Sequence, residues 1–284
     1  MRTRFIFMLA IAVVSLARTS GAAPAVQVYI LAGQSNMDGR GRKSELVGDL
    51  AKWAKPQPDV RIAYSNSSKR GPYSTGGFVP LEPGYSVPPG TKEKKLPGDT
   101  FGPEVSFGRA IADASPGERV VLIKFSEGGT SLRGDWMPGL AHGGLYPQFR
   151  AFVRRSLQSL KDAGDEPQLA AMIWHQGESD ASLPEGEYQK LLTEFIAQLR
   201  KDLDAAQLPV VIGEVYDNGK RERVRAGQRA TASAVANVKF VSVQGLKTSD
   251  NGTHFDTPSQ IELGKRLAAA LTGNKAAATK ESSR

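Results

Sequence analysis

Five short apolar runs recur along the chain, at residues 26–32 (VQVYILA), 120–125 (VVLIKF), 169–174 (LAAMIW), 209–215 (PVVIGEV) and 238–243 (VKFVSV). Each is continuous rather than alternating. A half-buried strand shows every second residue to water, so an unbroken apolar run belongs to a strand covered on both faces, as in a parallel sheet. The intervening segments carry helical period. Phe149, Phe152, Val153, Leu157 and Leu160 share one helix face, and so do Tyr188, Leu191, Leu192, Phe195, Ile196, Leu199 and Leu203. Strands alternating with amphipathic helices predict a three-layer α/β/α sandwich around a mainly parallel, five-stranded sheet. The last helix has a readable start: Thr257 and Gln260 form a capping box, with Pro258 at the first helical position. Residues 56–100 hold eight prolines and six glycines. That density predicts an irregular excursion, either walling a cleft or forming a disordered insert.

The first 23 residues read as an export signal. Met1 to Arg4 is a charged start, residues 5–17 are apolar apart from Ser15, and Gly21-Ala22-Ala23 offers small residues for cleavage. The apolar run falls short of the roughly 20 residues that span a bilayer, so no stable membrane insertion is expected after cleavage. A chain that is exported yet contains no cysteine points to a bacterial periplasmic or secreted enzyme stabilised by its core, not by disulfides. The absence of cysteine also excludes thiol catalysis and Cys-based metal sites. The net charge of +8 includes Arg2, Arg4 and Arg18 of the signal, and no run of five basic residues occurs anywhere. A mildly basic solvated surface is therefore expected, with no nucleic-acid partner. Residues 273–284 are small and polar and read as a flexible tail.

In parallel sheets, ligands sit at the carboxyl ends of the strands. The first run leads into Gly33-Gln34-Ser35-Asn36, the second into Ser126-Glu127-Gly128-Gly129-Thr130, and the third into His175-Gln176-Gly177-Glu178-Ser179-Asp180. Shortly after the fifth comes Ser249-Asp250-Asn251-Gly252-Thr253-His254. Taken singly, a serine after a strand is ordinarily a cap and a glycine pair a turn. Converging on one sheet edge, they form the parts of an acyl-transfer site: a nucleophile, oxyanion donors and a base. The chain has three histidines, His142, His175 and His254. They lie far apart in sequence with no H-E-x-x-H pattern, so no metal centre is expected.

These segments carry a resemblance. YILAGQSNMDGRG at 29–41, FGPEVSFG at 101–108, KFSEGGTSL at 124–132, WHQGESD at 174–180 and DNGTHFDTPSQIELGKRLA at 250–268 make the sequence similar to the SGNH hydrolases. Within them it resembles the sialate O-acetylesterase and carbohydrate esterase family 6 branch, from about residue 28 to residue 271. The resemblance implies a flavodoxin-like esterase domain over residues 24–272. It also implies Ser–His hydrolysis of acetyl esters on carbohydrates, without metal or cofactor. Carried over, Ser35 is the nucleophile and His254 the general base. The oxyanion hole comprises the Ser35 N–H, the Gly129 N–H and the Gln176 side-chain amide. One departure stands out: the superfamily places an acid three residues before the histidine, where this chain has Asn251, and Asp250 stands four before. Either Gly252 lets the loop bulge so that Asp250 reaches the imidazole, or a backbone carbonyl, Glu178 or Asp180 holds it. Arg40, Arg133 and Trp136 flank the motifs and are candidate sugar contacts, Arg133 to an acidic group and Trp136 by stacking. Acetylated xylan and O-acetylated sialic acid are both candidate substrates, and a non-catalytic carbohydrate-binding relative is the reading from another class.

Overall fold

The computed structural model describes residues 24–67, 73–88, 90–91, 95–140 and 144–273. The expected signal segment, nearly all of the expected tail, and His142 lie outside the described residues. In chain order the strands are β1 (Ala25–Gly33), β2 (Gly41–Arg42), β3 (Gln57–Ser65), β4 (Val79–Leu81), β5 (Thr100–Phe101), β6 (Arg119–Ser126), β7 (Glu166–His175), β8 (Val210–Gly213) and β9 (Val238–Val241). The helices are α1 (Ser35–Asp38), α2 (Glu104–Ala114), α3 (Leu145–Asp162), α4 (Glu187–Asp202), α5 (Glu222–Ala234) and α6 (Thr257–Thr272).

The main sheet has seven strands in the order β4-β3-β6-β1-β7-β8-β9, and every pairing is parallel except β3 with β4. The architecture is the three-layer one expected, with two strands more than the five apolar runs indicated. Both additions come from the excursion at 56–100. β3 runs parallel to β6, and β4 pairs antiparallel along the edge, where Pro80 is tolerated because an edge residue need not donate to a neighbour.

β1 explains why the apolar runs are unbroken. Val26, Val28, Ile30 and Ala32 point into one core with Phe149 and Phe152 of α3 and Leu192 and Phe195 of α4. Tyr29 and Leu31 point into a second core with Phe107 and Ile111 of α2 and Leu263 and Leu267 of α6. A polar residue at any of these positions would be buried without a partner, so hydrophobicity is required on both faces.

The α6 start differs from the expectation by one residue. Asp256 is the cap, its carboxyl oxygen accepting the Ser259 N–H at 2.9 Å, while Thr257 is the first helical residue. The Thr257 hydroxyl instead accepts the Arg42 N–H at 2.8 Å, fastening β2 to the helix. No helix among the described residues is long and apolar enough to cross a membrane.

Candidate active site

β1 lies between β6 and β7, and the chain turns outward at the carboxyl ends of all three. Backbone bonds lock these ends together: Gln34 N–H donates to the His175 carbonyl at 3.0 Å, and Glu127 N–H to the Gly33 carbonyl at 3.1 Å. Ser35 is the first residue of α1 and only 4% exposed. Gly128 packs directly on it. A β-carbon at residue 128 would touch Ser35 Cβ at 3.6 Å and lie 2.9 Å from Arg40 Nη2, so a larger residue would displace the Arg40 guanidinium.

His254 arrives from the far side of the fold, on the loop that leads into α6. Its Nε2 lies 3.1 Å from Ser35 Oγ, and its Nδ1 lies 2.5 Å from Asp250 Oδ2. The loop geometry explains how a carboxyl four residues back reaches the ring. Asp250 Oδ1 accepts the backbone N–H groups of Thr253 (2.8 Å) and His254 (2.9 Å), which curls the chain around the carboxyl. Gly252 takes φ +81°, a left-handed conformation that costs glycine little. Partial burial would by itself raise the Asp250 carboxyl. The two N–H groups and the imidazole outweigh it and hold the carboxyl below its ordinary range.

The two other carboxylates considered for the histidine are occupied elsewhere. Asp180 accepts the Leu132 N–H at 2.7 Å, the Arg133 N–H at 3.3 Å and the Gln176 amide at 2.6 Å, and burial pushes its carboxyl up. Glu178 accepts from the Asn36 amide at 2.6 Å. Gln176 is wholly buried, and its Nε2 lies within bonding distance of Thr130 O (3.0 Å), Asp180 Oδ2 (2.6 Å) and Gln34 Oε1 (3.1 Å). Gly129 follows Gly128 in the turn after β6, with φ +74° and open space where a side chain would stand.

A groove of about 740 Å³ opens beside the histidine, lined by Arg40, Arg42, Pro88, Asp99 and Thr100 together with Asp250 and His254. That volume is ordinary for a ligand cleft, where about 300–1,000 Å³ is typical. The excursion at 56–100 therefore contributes groove lining. Its described parts are tied to the Ser35 turn through Asp38, which accepts the Tyr64 hydroxyl (2.8 Å), the Ser86 hydroxyl (3.0 Å) and the Val87 N–H (3.3 Å). Arg40 is anchored in the same network, its Nη1 donating to Asp38 Oδ2 at 2.7 Å and the Gly39 carbonyl at 2.6 Å. Beneath it Lys124, wholly buried, donates to Glu104 Oε2 at 2.8 Å and to the carbonyls of Asp38 and Tyr85, both at 2.7 Å.

Of the three candidate sugar contacts, only Arg40 lines the groove. Arg133 pairs with Glu187 at 3.3 Å on the turn after β6. Trp136 corrects the expectation of stacking on a sugar. Its ring is 0% exposed, packed edge-on against Trp174 and Phe125, with Nε1–H donating to Thr130 Oγ1 at 2.9 Å. It is a core residue that steadies the turn carrying Gly128 and Gly129. Arg42, Asp99 and Asn36 were not singled out from sequence. Asn36 follows Ser35 and Arg42 lies two residues beyond Arg40, whereas Asp99 sits near the end of a Pro/Gly-rich stretch without a periodic signal.

Comparison with known proteins identifies the family and the fold. The family model described as carbohydrate esterase, sialic acid-specific acetylesterase matches residues 25–273. A probable carbohydrate esterase of Arabidopsis thaliana is 29% identical over 262 residues, covering 88% of this chain and 92% of the relative. An X-ray structure of an Arabidopsis thaliana protein has the same fold, with TM-score 0.69 at 24% identity over 88% of this chain and 99% of that one. So does NanS, with TM-score 0.63 at 16% identity over 89% and 98%. A carbohydrate acetylesterase from Xanthomonas citri aligns with TM-score 0.59 at 16% identity, over 87% of this chain and 57% of its own. With the family model spanning the whole sheet and every segment that builds the site, the chain belongs to the carbohydrate esterase family of sialic acid-specific acetylesterases.

Proposed function

We propose that the protein is an exported carbohydrate O-acetylesterase that works through an acetyl-serine intermediate, with Ser35 as nucleophile, His254 as general base and Asp250 orienting the imidazole. The observation that carries this reading is the continuous relay Ser35 Oγ–His254 Nε2–Asp250, at 3.1 Å and 2.5 Å, beside an open groove. His254 takes the serine proton as Oγ attacks the acetyl carbonyl. The resulting oxyanion is met by the Ser35 N–H, which as the first in α1 has no intrahelical acceptor. The Gly129 N–H is the second donor and the Gln176 amide the third. Gln176 has two N–H bonds and three acceptors around it, so its part requires releasing one of them. Collapse of the intermediate sends the sugar oxygen off with the proton from His254, and water then repeats the sequence on the acetyl-enzyme.

Because His254 delivers that proton, the departing sugar must lie against it. The groove lined by His254, Arg40, Arg42 and Asp99 is therefore assigned to the sugar. Release of acetate from acetylated xylan and from O-acetylated sialic acid, by the wild type and by Ser35→Ala, tests the reading. Acetate that disappears with the serine supports the esterase, and the better substrate identifies the sugar. A folded wild type that releases none from either, nor from an aryl acetate, would leave carbohydrate binding without catalysis as the better account. The residues 1–23 are read as the export signal, which N-terminal sequencing of the mature protein checks.

A further inference from the structure

Asn36 directly follows the proposed nucleophile and is wholly buried. Its amide is committed to the segment carrying His254. Nδ2 donates to the Thr253 carbonyl at 2.9 Å and to Glu178 Oε1 at 2.6 Å, and Oδ1 accepts the Phe255 N–H at 3.0 Å. The residues on either side of His254 are thus both held by the residue next to Ser35. The loop's own bonds close it internally: Ser249 N–H donates to the His254 carbonyl at 2.8 Å and Asp256 N–H to the Lys247 carbonyl at 3.1 Å. Arg221 grips the same loop from the α5 side, donating to the Gly252 carbonyl at 2.8 Å and Thr253 Oγ1 at 3.0 Å. Those contacts shape the loop but do not refer it to Ser35. The Asn36 side chain does.

We infer that Asn36 is a positioning residue that sets the distance between Ser35 Oγ and His254 Nε2 by gripping the backbone at 253 and 255. The inference rests on the reading of Ser35 and His254 as nucleophile and base. Only an amide of this length meets the demand, because the site needs one acceptor, for Phe255, and donors, for Thr253 and Glu178. Aspartate keeps the acceptor but loses both donors and sets a carboxyl against the Glu178 carboxyl. Alanine loses everything. A displacement of about 1 Å between reacting groups costs about 100-fold in rate, although neither reacting atom has been touched.

The test uses the full chain as Asn36→Ala and Asn36→Asp, with Ser35→Ala alongside, assayed on an aryl acetate. Near-ultraviolet circular dichroism counts the folded fraction. The expected result is a kcat per folded molecule lowered about 100-fold in both Asn36 variants, with KM changed less than about threefold. Asn36→Asp should do no better than Asn36→Ala despite its closer shape. The low-field proton resonance that the 2.5 Å contact with Asp250 predicts for His254 Nδ1–H in the wild type should shift or broaden. A role confined to stability would lower the folded fraction and leave kcat per folded molecule and the resonance unmoved, and that result overturns the inference. Should Asn36→Ala fail to fold, Asn36→Asp, which keeps volume and the Phe255 contact, decides. If Ser35→Ala hydrolyses the ester like the wild type, the Ser–His reading itself has failed. An inactive Ser35→Ala beside a fully active Asn36 variant removes only the role of Asn36.

Discussion

Replacing Asp250 by asparagine probes the relay with almost no change of shape. Asp250 Oδ1 accepts two backbone N–H groups, from Thr253 and His254, so an asparagine must keep its oxygen there; the reverse orientation would set an NH2 group against two donors. Its Nδ2 then faces His254 Nδ1, where the carboxylate oxygen stood at 2.5 Å. A donor facing Nδ1 requires a lone pair on that nitrogen, which moves the ring hydrogen to Nε2. Nε2 is the atom 3.1 Å from Ser35 Oγ, and with a hydrogen in place it cannot accept the serine proton. Where the carboxylate is deeply buried, this change costs about 10⁴ in kcat. The Asp250 side chain is 39% exposed, so water screens part of the lost charge, and we expect about 10²–10³, or about 3–4 kcal/mol. Because both loop bonds survive, thermal stability should stay near that of the wild type. The assay is kcat and KM on an aryl acetate, with a melting curve for each protein. A variant that melts like the wild type and keeps kcat within about tenfold would refute the tautomer argument.

Other perturbations follow from the same geometry. Burial pushes the His175 imidazole down, so below about pH 6.5 the unfolded chain takes up a proton that the folded one refuses. Stability is then lost as pH falls from that point towards the folded value, at up to about 1.4 kcal/mol per pH unit, and His175→Gln should flatten this slope in denaturant titrations between about pH 6.5 and 5. Lys124→Met leaves the buried Glu104 carboxyl uncompensated, for an expected cost of about 3–5 kcal/mol. Adding Glu104→Leu should recover only part of that, since the Asp38 and Tyr85 carbonyls still lack a donor; equal loss in single and double variants would contradict the pairing argument. Gln176→Ala should lower turnover roughly 10²–10³-fold if its amide meets the oxyanion, and a loss under about threefold would take it out of the hole.

The central sheet was legible because its strands are buried on both faces, which leaves a continuous apolar signature that water-facing strands lack. β3 was hidden for the opposite reason. Up to residue 61 its sequence QPDVRIAYS buries only Gln57 and Val60, so Ile62-Ala63-Tyr64 is its whole apolar run, and it begins between Pro56 and Pro58, inside a window whose average composition reads as loop. β4 is three residues long with a proline in the middle, and only its edge position permits it. The segments that build the site were legible as motifs at strand ends, but contacts between distant segments were not. No spacing rule tells that Asp250, not Asp180, meets the imidazole; the left-handed Gly252 and two backbone N–H groups decide it. Trp136 misled because a tryptophan near a glycine turn has the same letter whether it faces sugar or core. Lys124 did carry a signal, as the one charge within the apolar run 120–125, and its meaning required the carbonyls and the carboxylate that surround it.

The central claim is that His254 activates Ser35 as the attacking atom. A fluorophosphonate that reacts only with activated serines tests it directly, with peptide mapping of the modified chain and residual esterase activity followed together. The account predicts one label per chain, on the peptide containing Ser35, with activity lost in step and labelling nearly abolished in His254→Ala. Full modification of Ser35 with turnover intact, or inactivation with the label on a different residue, would contradict it.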